Sequence, residues 1–288
     1  MKAAGLPEQD FPKGVLYVVG LPIGNLGDIT LRAIWLLARA DAVAAEDTRE
    51  TKKVLERFGL TPRLISVREH NERHGAEQIL AMLAQGERVA MVTDAGTPAI
   101  SDPGARVVDA VRAAGVRVIP LPGASAVVTA MSAAGLLGDG FRFVGFVPPQ
   151  PKARRAALAS LAAYADPFVL YEAPHRIVPL LMDLAEALGS GRRVVIAREL
   201  TKKFETIVAV DSAELEQWAA MHEPRGEYVI LVDEAPEQPL VLDETQRRWL
   251  DALAELLPAS RLSAAAAKAT GLSRQLVYEY LLTKKEAD

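Results

Sequence analysis

The stretch RVAMVTDAGTPAISDPGARVVDAVRAAGVRVIPLPG, residues 88–123, contains the repeating unit of the predicted fold. It begins with a short apolar run at 88–92 and ends with a β-rich run at 116–123. The segment 105–115 between them places apolar residues at helical spacing. Two strands joined by one helix predict a βαβ unit, and therefore strands that run parallel in one sheet.

The same alternation continues on the N-terminal side of this unit. Further β-rich runs and helical patterns alternate there, which predicts an α/β domain with a mainly parallel sheet over 14–122. The first 13 residues lack the apolar segment of a secretory signal and are predicted to be a flexible tail over 1–13. The β-rich runs are GVLYVVG, AVAAED and RLISV, and the helical patterns are LRAIWLLARA and GAEQILAMLAQG.

Strand and helix signals continue beyond residue 122 with a different spacing. Three β-rich runs, RRVVIAREL, ETIVAV and GEYVILVDE, come close together, which indicates mixed strand directions. We therefore predict a second α/β domain with a mixed sheet over 123–234. An acidic, proline-containing linker is predicted over 235–244, and a small helical appendage over 245–288.

The last two predicted helices of the appendage have a short helix-turn-helix pattern. Gly271 suits a helix C-cap and Ser273 suits the following N-cap. Such a pattern is compatible with nucleic-acid docking and equally with a packing appendage or a dimer contact. Both roles stay open.

Composition excludes several classes of site. The chain has no cysteine, which rules out disulfides, thiolate metal sites and cysteine nucleophiles. Its four histidines do not match a metal-ligand spacing, so no metal site is expected. The formal net charge of −4 argues mildly against non-specific nucleic-acid binding. No apolar run approaches the ~18 residues of a membrane span, and we expect a cytoplasmic protein without a membrane partner.

Local clusters of basic residues qualify the argument from net charge. Each cluster is either a solvated surface or a contact for phosphate, and the sequence favours the solvated surface. The clusters are Lys152, Arg154 and Arg155; Arg192 and Arg193; Lys202 and Lys203; and Lys284 and Lys285.

Several glycine-containing loops follow the predicted strands and should meet at one edge of the sheet. Ligands of open parallel sheets bind outside the carboxyl ends of the strands. The loop after the first strand, GLPIGNLGD, has neither the Rossmann spacing nor a P-loop Gly-Lys-Ser/Thr, so a phosphate cradle is not expected. The loop DAGTPAISDPG holds prolines for rigidity, glycines for close approach of the backbone, and Asp94 as a carboxylate. These loops predict a ligand site that does not bind phosphate.

Seven ordered segments of the chain carry a resemblance to a known family. They are VVGLPIGNLGDIT, EDTRET, VTDAGTPAISDPG, PLPGASA, VGFVP, YEAPHR and ARELTKKFE. Together they resemble the tetrapyrrole methylase superfamily. Within it, the chain is most similar to the bacterial ribosomal RNA small subunit methyltransferase I group, over roughly residues 15–234. The helical appendage also resembles the C-terminal domain of that group.

This resemblance implies a two-domain α/β fold with S-adenosylmethionine in the cleft between the domains. It implies 2′-O-methylation of a cytidine ribose in the decoding region of 16S rRNA, within the small ribosomal subunit, by a homodimer. Residues from both domains are then expected to bind the cofactor. They are Asp94, Gly96, Thr97, Ile100, Ser125, Ala126, Tyr171 and Glu172.

A ribose hydroxyl is a poor nucleophile, so its methylation benefits from a general base. The candidates are Glu46, Asp47 and Glu199, which lie in polar motifs at strand ends. Each of the three would lose this role by pairing with a neighbouring arginine, and Arg49 and Arg198 are close in sequence. His70 is a further candidate, because the pKa of histidine lies near neutrality.

Three functions compete at this stage. The first is the ribose methyltransferase of 16S rRNA, which EDTRET, YEAPHR and the helical appendage favour. The second is a methyltransferase acting on a small molecule such as a tetrapyrrole. The third is a non-catalytic RNA-binding protein associated with the ribosome, which the intact loops argue against.

Overall fold

A computed structural model describes residues 2–68, 71–136, 140–235 and 242–285, with side chains up to residue 283. The chain divides into two compact units, Met1–Glu234 and Ala235–Asp288. None of the described helices is long and apolar enough to cross a membrane.

The first sheet has five parallel strands in the order β3-β2-β4-β1-β5. The strand β1, VLYVV, lies between β4 and β5 and is buried along its whole length, as expected for a parallel strand covered on both faces. Tyr17 and Val19 belong to the core on one face, and Leu16 and Val18 to the core on the other. The strands are β1 (Val15–Val19), β2 (Ala42–Ala45), β3 (Leu64–Ser66), β4 (Arg88–Met91) and β5 (Val118–Leu121).

Four helices connect these strands. Thr30 caps the first of them, since its hydroxyl oxygen accepts a 3.0 Å hydrogen bond from the Ala33 amide. The sequence patterns did not predict the second helix, whose segment TRETKKVLER is mostly charged and buries only Thr51 and Leu55. The helices are α1 (Leu31–Leu37), α2 (Thr48–Arg57), α3 (Glu72–Ala84) and α4 (Ala105–Ala113).

The second sheet also has five strands, in the order β6-β7-β10-β8-β9. β6 and β7 are parallel, and the other three pairs are antiparallel. The predicted parallel first sheet and mixed second sheet are both confirmed. The strands are β6 (Arg142–Phe146), β7 (Phe168–Glu172), β8 (Arg193–Arg198), β9 (Thr206–Asp211) and β10 (Tyr228–Val232).

Helices pack on both faces of the second sheet. α5 (Ala126–Ala134) follows the last strand of the first sheet and packs on one face of the second sheet through Val127 and Ala130. α6 (Pro151–Ala162), α7 (Ile177–Leu188) and α8 (Leu215–Met221) share a core with the opposite face. The chain therefore passes from one sheet to the other directly after Leu121, while the boundary at 122 stays a prediction.

The predicted flexible tail has buried residues. Leu6 and Phe11 are 2% and 7% exposed, and Phe11 belongs to the core of the first sheet. The Arg88 side chain donates a 2.7 Å hydrogen bond to the Phe11 carbonyl oxygen. Two apolar side chains thus hold this segment against the protein, a feature that its lack of periodicity concealed.

The C-terminal unit contains α9 (Glu244–Ala254), α10 (Ala259–Thr270) and α11 (Arg274–Lys285) around a small core of its own. A capping box between Asp243 and Gln246 begins α9. Gly271 ends α10 in the left-handed conformation, with φ of 74°, and the Ser273 hydroxyl accepts from the Leu276 amide. Both caps agree with the sequence prediction. Most of the predicted linker lies outside the described residues.

Candidate active site

A cavity of about 440 Å³ lies at the carboxyl edge of the first sheet and is closed by elements of the second. Its lining therefore mixes loops from one sheet with strand ends from the other. The first sheet and its loops contribute Ile23, Glu46, Asp94, Ala95, Gly96, Thr97, Ile100, Ser101 and Asp102; the rest are Ser125, Ala126, Phe146, Tyr171, Glu172, Ala173, Pro174, Leu200, Glu227, Tyr228 and Val229.

The loops of the first sheet are held together by backbone contacts. Leu21 and Gly96 exchange two hydrogen bonds, of 2.9 and 3.0 Å, which tie the loop after β1 to the loop after β4. The Thr97 hydroxyl donates a 2.9 Å bond to the Ala124 carbonyl oxygen, which adds the loop after β5. A Cβ on Gly123 would lie 3.1 Å from the Gly20 Cα, so these two glycines allow loop to pack on loop. Their small size serves this packing of one loop on the other.

The loop after β4 is built from unusual backbone conformations. Gly96 has φ of +69°, and the non-glycine residues Ala99 and Ser101 have φ of 68° and 61°. Left-handed conformations are unfavourable for alanine and serine, and they concentrate at functional sites. The turn-rich sequence therefore forms part of the cavity lining, and the rigidity expected from its prolines stays a prediction.

All eight residues predicted to bind a cofactor line this cavity. Six come from the loops of the first sheet and the start of α5, and Tyr171 and Glu172 come from the end of β7. The structure thus brings them together, while the ligand that they bind stays a prediction.

Glu172 presents an acceptor without a partner among the residues that the structure describes. Its side chain is buried, and its Oε1 atom accepts from the Ala173 amide at 2.9 Å and lies 3.1 Å from Arg176 Nε. The other oxygen, Oε2, is also buried and makes no hydrogen bond there. A buried carboxylate oxygen without a donor is unfavourable, and the guanidinium of Arg176 beside the other oxygen offsets part of this cost.

Tyr171 connects the second sheet to the start of α5. Its hydroxyl oxygen accepts a 2.9 Å hydrogen bond from the Val127 amide. Burial raises the pKa of the Tyr171 hydroxyl to about 12, so the group stays protonated at neutral pH. This hydrogen bond joins the end of β7 to the start of α5.

Asp102 is a cavity residue that the sequence prediction missed. It lies on the same loop as Asp94, and both line the cavity. Burial among protein atoms, followed by the negative charge of Asp94, raises the pKa of Asp102 to about 6. The signal in the sequence was the second aspartate of the same loop, but their proximity depends on how the loop folds.

Of the three candidates for a general base, only Glu46 lines the cavity. Asp47 instead caps α2, and its Oδ2 atom lies 2.6 Å from Arg49 Nη2. Those hydrogen bonds with Arg49 hold the pKa of Asp47 well below its usual range, which makes it a weak base. His70 lies outside the described residues.

Glu199 is engaged in a structural contact beside the cavity. Its Oε1 atom accepts from Lys202 Nζ at 2.8 Å and from the Glu227 amide at 3.1 Å. The hydrogen bond from Lys202 is the main cause that lowers the pKa of Glu199. Its neighbour Leu200, and not Glu199, lines the cavity.

The predicted basic clusters are largely occupied by structural contacts. Arg154 is buried and lies 2.7 Å from Asp183. Arg192 is buried as well and donates to four backbone carbonyl oxygens, including those of Ala162 and Asp233. Lys202 pairs with Glu199 and with Glu227. The side chains of Lys284 and Lys285 lie outside those described.

The charged residues that line the cavity are all acidic within the described part of the chain. Five carboxylate residues line it, and no lysine, arginine or histidine does so within the described part of the chain. Such a lining disfavours an anion and favours a neutral or cationic ligand. The five are Glu46, Asp94, Asp102, Glu172 and Glu227.

Known proteins are similar to this chain in fold and in sequence. The family model of the tetrapyrrole (corrin/porphyrin) methylases matches residues 15–216, more than half of the chain. The ribosomal RNA small subunit methyltransferase I of Escherichia coli O157:H7 is 44% identical over 278 residues, which are 96% of this chain and 97% of that protein.

Solved structures agree with this assignment. The crystal structure of the methyltransferase CobJ has a TM-score of 0.58 and 25% identity, over 78% of this chain and 95% of that chain. The uroporphyrin-III C-methyltransferase from Thermus thermophilus, complexed with S-adenosyl homocysteine, has a TM-score of 0.53 and 20% identity, over 77% and 97% of the two chains. This second likeness shows a shared fold. The chain therefore belongs to the tetrapyrrole (corrin/porphyrin) methylase family and, within it, to the ribosomal RNA small subunit methyltransferase I group.

Proposed function

We propose that this protein transfers the methyl group of S-adenosylmethionine to ribosomal RNA, at the ribose 2′-hydroxyl of a cytidine in the decoding region of 16S rRNA. The observation that carries the proposal is the acidic cavity between the two sheets. It occurs in a chain that is 44% identical, over nearly its whole length, to a ribosomal RNA small subunit methyltransferase I.

The cavity residues fit S-adenosylmethionine. The cofactor carries a net positive charge, which suits a lining with five carboxylates and no basic side chain among the described residues. Its amino and hydroxyl groups are hydrogen-bond donors, and the carboxylate of Asp94 is an acceptor in the same cavity. Ile23, Leu200 and Val229 offer apolar surface for its adenine ring. When bound, the cofactor supplies a methyl group on a positively charged sulfur.

The protein's own contribution to the reaction is positioning and acceptance of a proton. Rigid loops hold the lining residues in place, which aligns the two reactants. Asp102 and Glu46 are the carboxylates of the first sheet's loops best placed to accept the hydroxyl proton. With a pKa of about 6, Asp102 is ionised at neutral pH and yet a stronger base than an ordinary aspartate. Asp102 is therefore our first candidate for the base, and Glu46 the second.

The proposal is tested with labelled S-adenosylmethionine and three acceptors. They are small ribosomal subunits lacking the modification, naked 16S rRNA and a tetrapyrrole. We expect label in the rRNA of assembled subunits, at one cytidine whose 3′ linkage becomes resistant to alkali. Label in the tetrapyrrole alone would replace the proposal with the small-molecule activity. Label on a base, with the linkage still alkali-labile, would contradict the 2′-hydroxyl as acceptor.

A further inference from the structure

The strand β6 contains a bulge next to the cavity. Phe143 pairs with Val169, and the next pair is Gly145 with Leu170, so Val144 is an additional residue without a partner on β7. After the bulge, Phe146 pairs with Tyr171. β-bulges are common next to active sites, where they redirect a side chain.

The bulge changes the face on which Phe146 lies. Phe143 packs with the α5 side of the sheet, and Val144 packs with the opposite core. Regular alternation would then put residue 146 opposite Glu172, on the side of that opposite core. With the bulge, Phe146 instead lies beside Tyr171 on the cavity side, with ring centroids 5.8 Å apart at 71°.

The bulge is fixed by a contact between the two sheets. Gly145 has φ of +75°, which glycine adopts readily and other residues rarely do. A Cβ at this position would overlap the Ser101 hydroxyl, which belongs to the loop after β4. The position of Phe146 is therefore set by the same loop that carries Asp94 and Asp102.

Phe146 is exposed although it lines the cavity. The residue is 54% exposed and stands at the point where the bulge turns the strand toward the cavity. The edge-on contact with Tyr171 holds the ring at an angle near perpendicular to its neighbour. An exposed aromatic ring at the mouth of a methyl-donor cavity matches the way in which proteins hold unstacked nucleobases.

We propose that Phe146 is the platform on which the nucleobase of the target nucleotide stacks, so that its ribose enters the cavity. This inference rests on the proposed function and specifies how the acceptor is positioned. Phe146 acts as a positioning residue, since the reacting atoms are the 2′-oxygen and the methyl carbon. The occupant is the cytosine ring of the target cytidine in the RNA.

The test compares variants in steady-state methylation of small subunits and in S-adenosylmethionine binding by calorimetry. Phe146→Ala is expected to lower kcat/KM for subunits roughly 5- to 150-fold, the range for loss of one base–aromatic stack, mainly through KM. Its affinity for S-adenosylmethionine should match that of the wild type. Phe146→Trp should retain activity and Phe146→Leu should not, because only the former keeps an aromatic face.

Phe141→Ala is the matched control, since Phe141 is 42% exposed but does not line the cavity. Wild-type kinetics in that control are expected. An equal loss of cofactor affinity in Phe146→Ala would overturn the inference, because the ring would then serve the cofactor. Full activity of Phe146→Leu would also overturn it, since apolar volume alone would suffice. If the wild type labels no RNA, both the proposed function and this inference are wrong. If the wild type labels RNA and Phe146→Ala does so with the same kcat/KM, only this inference is wrong.

Discussion

Replacing Asp102 by asparagine should stabilise the folded protein at neutral pH. In the fold, the pKa of Asp102 is raised from 3.8 to about 6 by burial and then by the charge of Asp94. At about 1.36 kcal/mol for each pKa unit, this rise corresponds to at most about 3 kcal/mol. Because Asp102 is exposed to the solvent that enters the cavity, screening reduces the effect, and we expect about 1 kcal/mol.

The sign follows from where the proton is bound. The folded state binds the Asp102 proton more tightly than the unfolded state does, so this group favours folding fully below pH 3.8. That contribution is lost as the pH rises through about 6. Above that pH the Asp102 carboxylate is ionised although it is partly desolvated and close to the charge of Asp94. Asp102→Asn removes the charge and keeps the shape. Its gain in stability should therefore be small at pH 4.5 and complete at pH 7.5.

Urea unfolding of the cofactor-free protein at pH 4.5 and pH 7.5 measures this difference. Asp109→Asn is the matched control, because Asp109 is exposed on the neighbouring helix α4 and does not line the cavity. It should change the free energy of unfolding little at either pH. A gain for Asp102→Asn that is equal at both pH values, or a loss at pH 7.5, would refute the reasoning. The same variant should methylate subunits more slowly, since it has no carboxylate to accept the proton.

Three other perturbations have defined outcomes. Asp94→Ala should weaken S-adenosylmethionine binding roughly ten- to over a hundred-fold in calorimetry, because one charge-assisted hydrogen bond is lost. Unchanged affinity in a folded variant would remove Asp94 from the site. Arg154→Ala should lower the free energy of unfolding by about 3 kcal/mol, because it leaves Asp183 without its buried partner. Lys152→Ala on the same helix is the control and should leave the free energy of unfolding unchanged. Similar stabilities of the two variants would contradict a stabilising role of the buried pair. Truncation before Thr245 should preserve cofactor affinity and reduce methylation of subunits, and full activity would favour the packing-appendage role of the C-terminal helices.

The fold and the place of the site could be predicted because both depend on local pattern. Buried runs such as VLYVV, alternating with helical segments, indicated parallel strands, and loops after parallel strands meet at one edge. The helix Thr48–Arg57 escaped prediction because its sequence is mostly charged. Its start depends on the side chain of Asp47, which the sequence offered either as one of three candidates for the base or as a partner of Arg49.

The chemistry of individual charged residues could not be predicted in the same way. In the sequence, Arg154 reads as a solvated cation and Glu199 as a candidate general base, but each has a partner that is distant along the chain or depends on an unusual backbone conformation. The same is true of Asp102, whose raised pKa depends on burial and on Asp94. The bulge that redirects Phe146 likewise arises from pairing with β7 and from the contact with Ser101.

The acidic lining has a consequence for the direction of the proposed reaction. Carboxylates around the cavity favour a positively charged ligand, and methyl transfer converts a charged sulfonium into a neutral thioether. The proton released by the ribose hydroxyl offsets part of this change if it is taken up by Asp102, whose pKa of about 6 permits protonation near neutrality. One carboxylate is then neutral while the product occupies the site. The same carboxylates would thus bind the positively charged methyl donor more tightly than its neutral thioether product. Protonation of Asp102 would limit the uncompensated negative charge in the cavity after the methyl group has left.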